Sequence, residues 1–278
     1  MAKNKPIIAI LYDFDKTLAT DDMQNYSFIP GLGMEPKDFW AATGELSNKT
    51  GVEKILAYML MMILQCKEKN IPLTKEYLNK LGKDVKFYDG VTAWFRRINA
   101  FGEENGVEIE HYIISSGTKE IIEGTSIAKE FKEIYACEFL YGEDGVAYWP
   151  KMAINYTAKT QFVFRISKGV LDSSDDVRLN TRTDEKRIPF RNIIYIGDGL
   201  TDVPCMTLVK EKGGKSIAIY PKSQRDKVAK LMEEDRVNFI CRGDYSVNSA
   251  LDKIMKLIIS QMAIVEELLN KETESMKK

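Results

Sequence analysis

The sequence has 278 residues, which is enough for one large domain or for a domain that carries a substantial insertion. With 44% hydrophobic and 29% charged residues, its composition is ordinary for a soluble globular protein. The formal net charge of −1 argues against a polyanion-binding surface, so we expect no nucleic acid partner.

The start of the chain, lysines followed by an apolar run, superficially resembles a signal peptide. That run is shorter than the apolar core of a signal peptide and ends at Asp13, which argues against export. The longest apolar run, Ile55 to Leu64, is too short to span a bilayer. We therefore predict a cytoplasmic protein without a membrane partner.

The cysteines and the single histidine offer little for metal or nucleophilic chemistry. The four cysteines are far apart and form no C-x-x-C pair, a pattern that favours reduced buried thiols over disulfides or a zinc site. His111 lies inside an apolar segment, so a catalytic triad or a histidine-based metal site would depend on this one residue.

The first predicted strand, Ile7 to Tyr12, leads directly into Asp13-Phe14-Asp15-Lys16. Alternate residues of an extended chain point the same way, so Asp13 and Asp15 could face one site. Two close carboxylates repel each other unless a positive charge lies between them. A solvated loop after an edge strand would also explain this pair. The motifs further along the chain distinguish between a site and a loop.

The stretch from residue 20 to residue 88 has no convincing strand pattern. Three helices are predicted there, over Glu35–Leu46, Gly51–Lys69 and Lys75–Leu81, the last with Thr74 as its N-cap. The Met-rich segment Tyr58–Leu64 is apolar nearly all round, which is typical of the core of a helical bundle and leaves a substrate-lining role open. We predict a small helical domain, residues 20–88, inserted into the chain.

After residue 89, predicted strands and helices alternate. Strands are predicted at Ile109–Ile114, Asn192–Ile196, Ser216–Tyr220 and Val237–Cys241, with a hairpin turn at Gly142–Gly145. Helices are predicted at Val91–Ala100, from Lys119, at Thr160–Ile166, from Thr201, at Asp226–Glu234, and from a Ser246 cap to about Asn270. A polar loop is predicted at Leu171–Lys186. This order predicts an α/β core of residues 1–19 and 89–278, a Rossmann-like parallel sheet with helices on both faces.

Three predicted strands end in polar, glycine-containing turns, where open α/β sheets place their ligands. The first carries Asp13 and Asp15, and the second carries Ser115-Ser116-Gly117 at an expected helix start, whose amides would suit an anion. The third carries Asp198 and Asp202. Clustered carboxylates need a counter-charge, and a hard cation such as Mg²⁺ is the best match. Such a site suits a phosphoryl group.

In this order, these motifs resemble the haloacid dehalogenase-like hydrolases, and among them the phosphoserine phosphatase-like branch. Asp13–Leu18 is similar to motif I of that family, Ile113–Gly117 to motif II and Gly197–Asp202 to motif IV. Motif III is a lysine that opens a helix, and Lys159 fits this context better than Lys168. The predicted insertion, residues 20–88, lies where the family carries a helical cap of the C1 type.

The resemblance implies a role for each matching residue. Asp13 would be the nucleophile and form an aspartyl-phosphate, and Asp15 would be the general acid and then the base. Mg²⁺ would be held by the Asp13 carboxylate, the Asp15 backbone carbonyl and Asp198, with Asp202 in the metal site or behind it.

The same resemblance implies a phosphate subsite. The motif II residues Ser115, Ser116 and Gly117 would bind phosphate oxygens together with Lys159, which would also offset charge in the transition state. Ser115 could cap the expected helix as well.

We therefore predict a Mg²⁺-dependent phosphatase that acts on a small phosphorylated metabolite. Asp15 favours phosphoryl chemistry, because dehalogenases of this family generally lack this second aspartate. A phosphate-binding or sensing protein with little turnover and a phosphomutase remain as alternatives. A receiver-like signalling domain would combine similar groups, but the length and the insertion argue against it.

The substrate is less constrained by the sequence. Asp22 could bind a substrate amine or could act as a hinge or capping residue. Residues 19–88 contain no arginine to bind a substrate carboxylate, which argues against phosphoserine. The aromatic and Met-rich insertion would suit a partly apolar leaving group.

Overall fold

The computed structural model describes residues 5–183, 186–222 and 224–276, and its centre is a single sheet. The strands are β1 (Ile7–Tyr12), β2 (Glu108–Thr118), β3 (Glu133–Tyr141), β4 (Ala147–Met152), β5 (Ile193–Gly197), β6 (Lys215–Tyr220) and β7 (Phe239–Arg242). Their order is β4-β3-β2-β1-β5-β6-β7, and every neighbouring pair is parallel except β3 and β4. Seven strands in this arrangement confirm the predicted Rossmann-like α/β class.

The central strand β1 is buried from Ile8 to Tyr12, since helices cover both faces of the sheet. A strand buried on both faces has no polar side to present, which explains its continuous apolar run. Its pairing with β5 sets Tyr12 opposite Ile196, and the Asp13 amide donates to the Ile196 carbonyl at 2.9 Å. The first residues after β1 and β5 therefore lie side by side.

The helices fall into two groups along the chain. Those before β2 are α1 (Phe28–Gly31), α2 (Pro36–Thr50), α3 (Lys54–Glu68), α4 (Lys75–Leu81) and α5 (Val91–Glu104). Those after β2 are α6 (Lys119–Glu123), α7 (Tyr156–Lys168), α8 (Asp176–Asn180), α9 (Val203–Glu211), α10 (Arg225–Glu233) and α11 (Ala250–Met276). Around the sheet, α5 contacts α11 and α7 contacts α9. Within the described ranges, no helix is both long and apolar enough to cross a bilayer.

The chain enters the segment of the first four helices and leaves it again at the same place beside the sheet. The Thr20 amide donates to the Lys86 carbonyl at 2.9 Å, and the Tyr88 amide donates to the Leu18 carbonyl at 3.0 Å. The predicted N-cap of α4 is confirmed, because the Thr74 side chain accepts a hydrogen bond from the Tyr77 amide. The helical segment is thus joined to the sheet by two adjacent stretches of backbone.

Two sequence-based boundaries are wrong. The expected helix start at Ser115-Ser116-Gly117 is part of β2, because β3 stays paired with β2 as far as Thr118, past a register shift that begins at Ile114. The last helix is not capped by Ser246; the Ser249 hydroxyl accepts from the Asp252 amide at 3.1 Å, and α11 continues beyond Asn270 to Met276.

The predicted loop at Leu171–Lys186 contains the short helix α8, and its residues 184–185 lie outside the described residues. Arg165 on α7 holds this loop, since its guanidinium donates to the Asp172 and Ser173 carbonyls.

The single histidine is part of the interior. Its Nδ1 lies 3.0 Å from the Tyr12 hydroxyl and its Nε2 lies 2.9 Å from Asn99 Oδ1. Burial lowers the pKa of His111 to about 3, which keeps the ring neutral. The four cysteines are buried free thiols.

Candidate active site

A cavity of about 310 Å³ lies where β1, β2 and β5 end. Residues from all three strand ends line it: Asp13, Asp15, Ser115, Ser116, Gly117 and Asp198. A larger groove, about 1260 Å³, lies at the opposite edge of the sheet and is lined by none of the predicted site residues. Most of the site residues predicted from the sequence therefore meet at the smaller cavity.

Three carboxylates meet at this edge of the sheet. Asp13, Asp198 and Asp202 each offer an oxygen, and these oxygens lie within 4.8 Å of one another. Asp13 is 5% exposed and Asp202 is fully buried. The pairing of β1 with β5 produces this convergence, since it brings the chain after Tyr12 beside the chain after Gly197.

Lys159 supplies the positive charge in this cluster. Asn155 caps the start of α7 by accepting from the Ala158 amide, and this helix carries Lys159 into the interior. The Lys159 ammonium donates to Asp13 Oδ1 at 2.8 Å and to Asp202 Oδ1 at 2.7 Å. Burial alone would lower the pKa of Lys159, but the two aspartates raise it well above its usual value.

The other lysine considered for this role lies elsewhere. Lys168, at the end of α7, donates to the carbonyls of Leu179 and Thr181 at 2.6 and 2.9 Å. It is not among the residues that line the cavity.

One ammonium does not balance three carboxylates. Burial and the charge of Asp202 raise the pKa of Asp13 to about 6, although Lys159 acts in the opposite direction. Burial and the charges of Asp13 and Asp202 likewise raise the pKa of Asp198 well above its usual value. A cluster with this excess of negative charge attracts a further cation.

The donor atoms in the cluster fit a hard divalent cation. They are carboxylate oxygens, which Mg²⁺ prefers. Asp202 Oδ1 is used by Lys159 and by the Tyr195 hydroxyl, which donates to it at 2.7 Å. Asp202 Oδ2 is buried and has no hydrogen-bond partner among the described residues, so it can take a ligand.

Asp15 lines the same cavity but is not in the carboxylate cluster that the described residues form. Its Oδ1 accepts from the Met23 amide at 2.8 Å. Burial, followed by the charges of Asp22 and Asp13, raises the pKa of Asp15 well above its usual value. A Cβ at Gly117 would lie 2.8 Å from Asp15 Oδ2 and 2.1 Å from Met23 Cε, so a larger residue here would force these two side chains to move.

The motif II serines lie at the end of β2. Ser115 Oγ accepts from the Gly117 amide at 3.0 Å, whereas Thr118 is the residue at the start of α6, so the expected capping role of Ser115 is wrong. Within the described part of the chain, Ser116 Oγ is buried without a hydrogen-bond partner. Ser116 also lines the cavity, so this hydroxyl is a candidate for contact with a ligand there.

The helical segment forms the opposite wall of the cavity with Trp40, Ile55 and Tyr58. The Tyr58 hydroxyl donates to the Ser116 carbonyl at 2.8 Å and so joins α3 to the end of β2. Asp22, considered from sequence for a substrate amine, forms an ion pair with Lys16.

Two contributors were missed in the sequence. Tyr195 interrupts an isoleucine-rich strand just before Gly197-Asp198. Because a buried tyrosine hydroxyl needs a hydrogen-bond partner, this position could have indicated a contact with the nearby acids. Met23 acts through its backbone amide, which no side-chain pattern can reveal.

Comparison with known proteins identifies the same family as the sequence motifs. The family model for haloacid dehalogenase-like hydrolases matches residues 10–207. An uncharacterized protein of Borreliella burgdorferi is 26% identical and covers 90% of this chain and 96% of its own length.

Two solved structures share the fold. A HAD family hydrolase from Salmonella enterica serovar Typhi aligns with a TM-score of 0.59 at 16% identity, over 92% of this chain and 72% of that one. A substrate-bound phosphoserine phosphatase aligns with a TM-score of 0.57 at 16% identity, over 92% of this chain and 99% of that one. With the family model covering most of its length, this chain belongs to the haloacid dehalogenase-like hydrolases.

Proposed function

We propose that this protein is a Mg²⁺-dependent phosphatase that hydrolyses a small phosphomonoester through an aspartyl-phosphate on Asp13. The observation that carries the proposal is the buried cluster in which Lys159 binds Asp13 and Asp202 next to Asp198, in a cavity lined by Ser115. These groups are the ones that phosphoryl transfer requires, namely a nucleophile, cationic stabilisation and an anion subsite.

Asp13 is the nucleophile in this proposal. One of its oxygens accepts from Lys159, and the side chain lines the cavity, so the other oxygen can attack phosphorus. The bond from Asp13 to phosphorus forms while the bond from phosphorus to the leaving alcohol breaks. Water then attacks the same phosphorus, which releases inorganic phosphate and restores the carboxylate.

Asp15 carries the proton. Its carboxyl lines the cavity beside Asp13 and is held by the Met23 amide, which fixes its direction. It gives a proton to the leaving alcohol oxygen in the first step and takes one from the attacking water in the second.

The phosphate subsite comprises Ser115, Ser116, Gly117 and Lys159. The free Ser116 hydroxyl can donate to a phosphate oxygen. The Lys159 ammonium, already between Asp13 and Asp202, offsets charge on the transferring group.

The metal site would use the carboxylates of Asp13, Asp198 and Asp202 and the backbone carbonyl of Asp15. When bound, Mg²⁺ neutralises phosphate charge and fixes the orientation of the phosphoryl group. Asp202 Oδ2, which has no hydrogen-bond partner among the described residues, supports this assignment.

Residues 20–88 act in this proposal as a cap over a core of residues 1–19 and 89–278. The cap contributes Trp40, Ile55 and Tyr58 to the cavity and is joined to the core by two adjacent backbone stretches. Such a connection suits a hinge that opens for substrate and closes for chemistry.

The test is phosphate release from p-nitrophenyl phosphate with and without Mg²⁺. We expect hydrolysis that EDTA stops and added Mg²⁺ restores, and that Asp13→Asn removes, while Asp226→Asn, an exposed change on α10, leaves it intact. Acid-quenched Asp15→Asn should show the mass of one phosphoryl group on Asp13. Hydrolysis that survives both chelation and Asp13→Asn would contradict the proposal.

A further inference from the structure

The part of the cavity beyond the phosphate subsite must accommodate the leaving group. Its lining there comes from the segment 20–88 and from the turn after β5. The residues are Asp22, Gln24, Trp40, Ile55, Tyr58, Gly199, Leu200 and Thr201. Leu200 is 80% exposed at the mouth, and Ile55 is half-buried on α3. The apolar members of this lining, Trp40, Ile55, Tyr58 and Leu200, favour contact with carbon atoms of a ligand.

The two aromatic residues have their polar atoms engaged elsewhere. Trp40 Nε1 donates to Asn25 Oδ1 at 2.8 Å, and the Tyr58 hydroxyl donates to the Ser116 carbonyl at 2.8 Å. Their rings lie 6.1 Å apart at 63°. They therefore offer ring surface, rather than hydrogen bonds, to a leaving group.

The cations in the cavity lining already have carboxylate partners. Among the described lining residues the cations are Lys16 and Lys159. Lys16 is bound to Asp22, and Lys159 is bound to Asp13 and Asp202. A carboxylate on the leaving group would find no unpaired cation in this lining. An ammonium would have to compete with Lys16 for Asp22, and the other acids of the lining, Asp13, Asp15 and Asp198, are those proposed for catalysis and metal binding. Either charge would lose its hydration without a full replacement.

We infer that the enzyme selects phosphomonoesters of small, uncharged and partly apolar alcohols. This inference rests on the phosphatase function proposed above and names the substrate class of that site. The cavity volume, about 310 Å³, is at the lower end of the range for ligand pockets and suits a compact alcohol beside the phosphate.

Three phosphate esters of three-carbon alcohols test the selection: propyl phosphate, 3-hydroxypropionate phosphate (the O-phosphate ester of 3-hydroxypropionate) and 3-aminopropyl phosphate. We expect kcat/KM, measured from inorganic phosphate release, to be about 10- to 100-fold higher for propyl phosphate than for either charged ester, the range that one lost charge-assisted interaction produces. Equal values, or preference for a charged ester, would overturn the inference while the phosphatase function stands. No release from these esters or from p-nitrophenyl phosphate would instead overturn the proposed function.

A charge placed in the lining sharpens the test. Ile55→Arg should shift the preference towards 3-hydroxypropionate phosphate by about 10-fold or more, because the new guanidinium pairs with its carboxylate. Leu64→Arg, on the same helix but 44% exposed and outside the cavity lining, is the matched control and should leave the preference unchanged. If Ile55→Arg does not fold, Leu200→Arg at the exposed mouth replaces it. An unchanged preference in a folded lining variant would overturn the inference.

Discussion

A buried carboxylate with cations beside it lies at each end of the parallel strands, one at the carboxyl edge of the sheet and one at the amino edge. The electrostatics of these two sites differ. At the carboxyl edge, Asp13 shares one lysine with Asp202, and its pKa rises to about 6. Near the amino end of β2, Glu110 is bound by Arg187 through both carboxylate oxygens and also by Lys132. Burial alone would raise the pKa of Glu110, but these hydrogen bonds lower it to about 2.

The number of hydrogen-bond and charge partners distinguishes a buried acid that stabilises the fold from one that can bind a ligand. Glu110 has a complete set of partners, including the Tyr112 hydroxyl at 2.6 Å, and none of its capacity is left for a ligand. The Asp13 cluster has more negative than positive charge, and Asp202 Oδ2 has no hydrogen-bond partner in the described part of the chain. An incomplete cluster in a cavity is suited to binding, whereas a complete one stabilises the fold.

Removing Lys159 tests the carboxyl edge and should have the largest effect. Lys159→Ala should lower kcat/KM by about 1,000-fold, because it removes the ammonium that stabilises transferring phosphate. Phosphate release from p-nitrophenyl phosphate measures this. Lys168→Ala, on the same helix, should remain within about 3-fold of the wild type. Comparable losses in both variants would contradict the assignment of Lys159.

Removing the charge of Glu110 tests the amino edge. Glu110→Gln should lower the free energy of unfolding by about 2 kcal/mol, since it leaves Arg187 and Lys132 without their shared acceptor. The two cations are partly exposed, so water limits the cost. Urea denaturation measures the change, and Glu108→Gln, exposed on the same strand, is the control. A kcat/KM that falls as strongly as in Lys159→Ala would break the contrast between the edges.

The same pair should appear in the pH dependence of stability. The folded pKa of Glu110, about 2, lies below its ordinary value of 4.5, so its contribution is fully present above pH 4.5 and is lost as the pH falls through about 2. The stability difference between wild type and Glu110→Gln should shrink over that interval. Buried His111 also destabilises the fold in acid, but it does so equally in both proteins. Urea midpoints at several pH values measure the difference, and a constant difference would contradict the pairing.

Matched tyrosine substitutions should have the smallest effects. Tyr195→Phe removes the hydrogen bond to Asp202 and should raise the Mg²⁺ concentration for half-maximal activity about 10-fold. Tyr112→Phe removes the hydrogen bond to Glu110 and should lower the free energy of unfolding by about 1 kcal/mol without changing the Mg²⁺ dependence. Mg²⁺ titrations and urea denaturation of both variants distinguish these outcomes. If both variants changed the Mg²⁺ dependence and the free energy of unfolding to the same extent, the proposed difference between the two edges would be wrong.

Much of the architecture follows from local patterns in the chain. A strand buried on both faces must be a continuous apolar run, and it must end where charges begin, so Ile7–Tyr12 and Asp13 were recognisable together. Helix periodicity and the Thr74 cap indicated α4 in the same way. The end of β2 was not recognisable, because its length depends on pairing with β3, whose Cys137 lies opposite Thr118.

By itself, the sequence determined the fold class and the set of acids at the strand ends, because strand burial and motif spacing are properties of neighbouring residues. Only the tertiary structure decided which groups meet. Lys159 reaches Asp13 across 146 positions of the chain, whereas Lys168 on the same helix does not line the cavity. The ion pair of Lys16 with Asp22 likewise depends on side-chain placement in three dimensions. Such contacts follow from packing of the whole chain, and no local pattern specifies them.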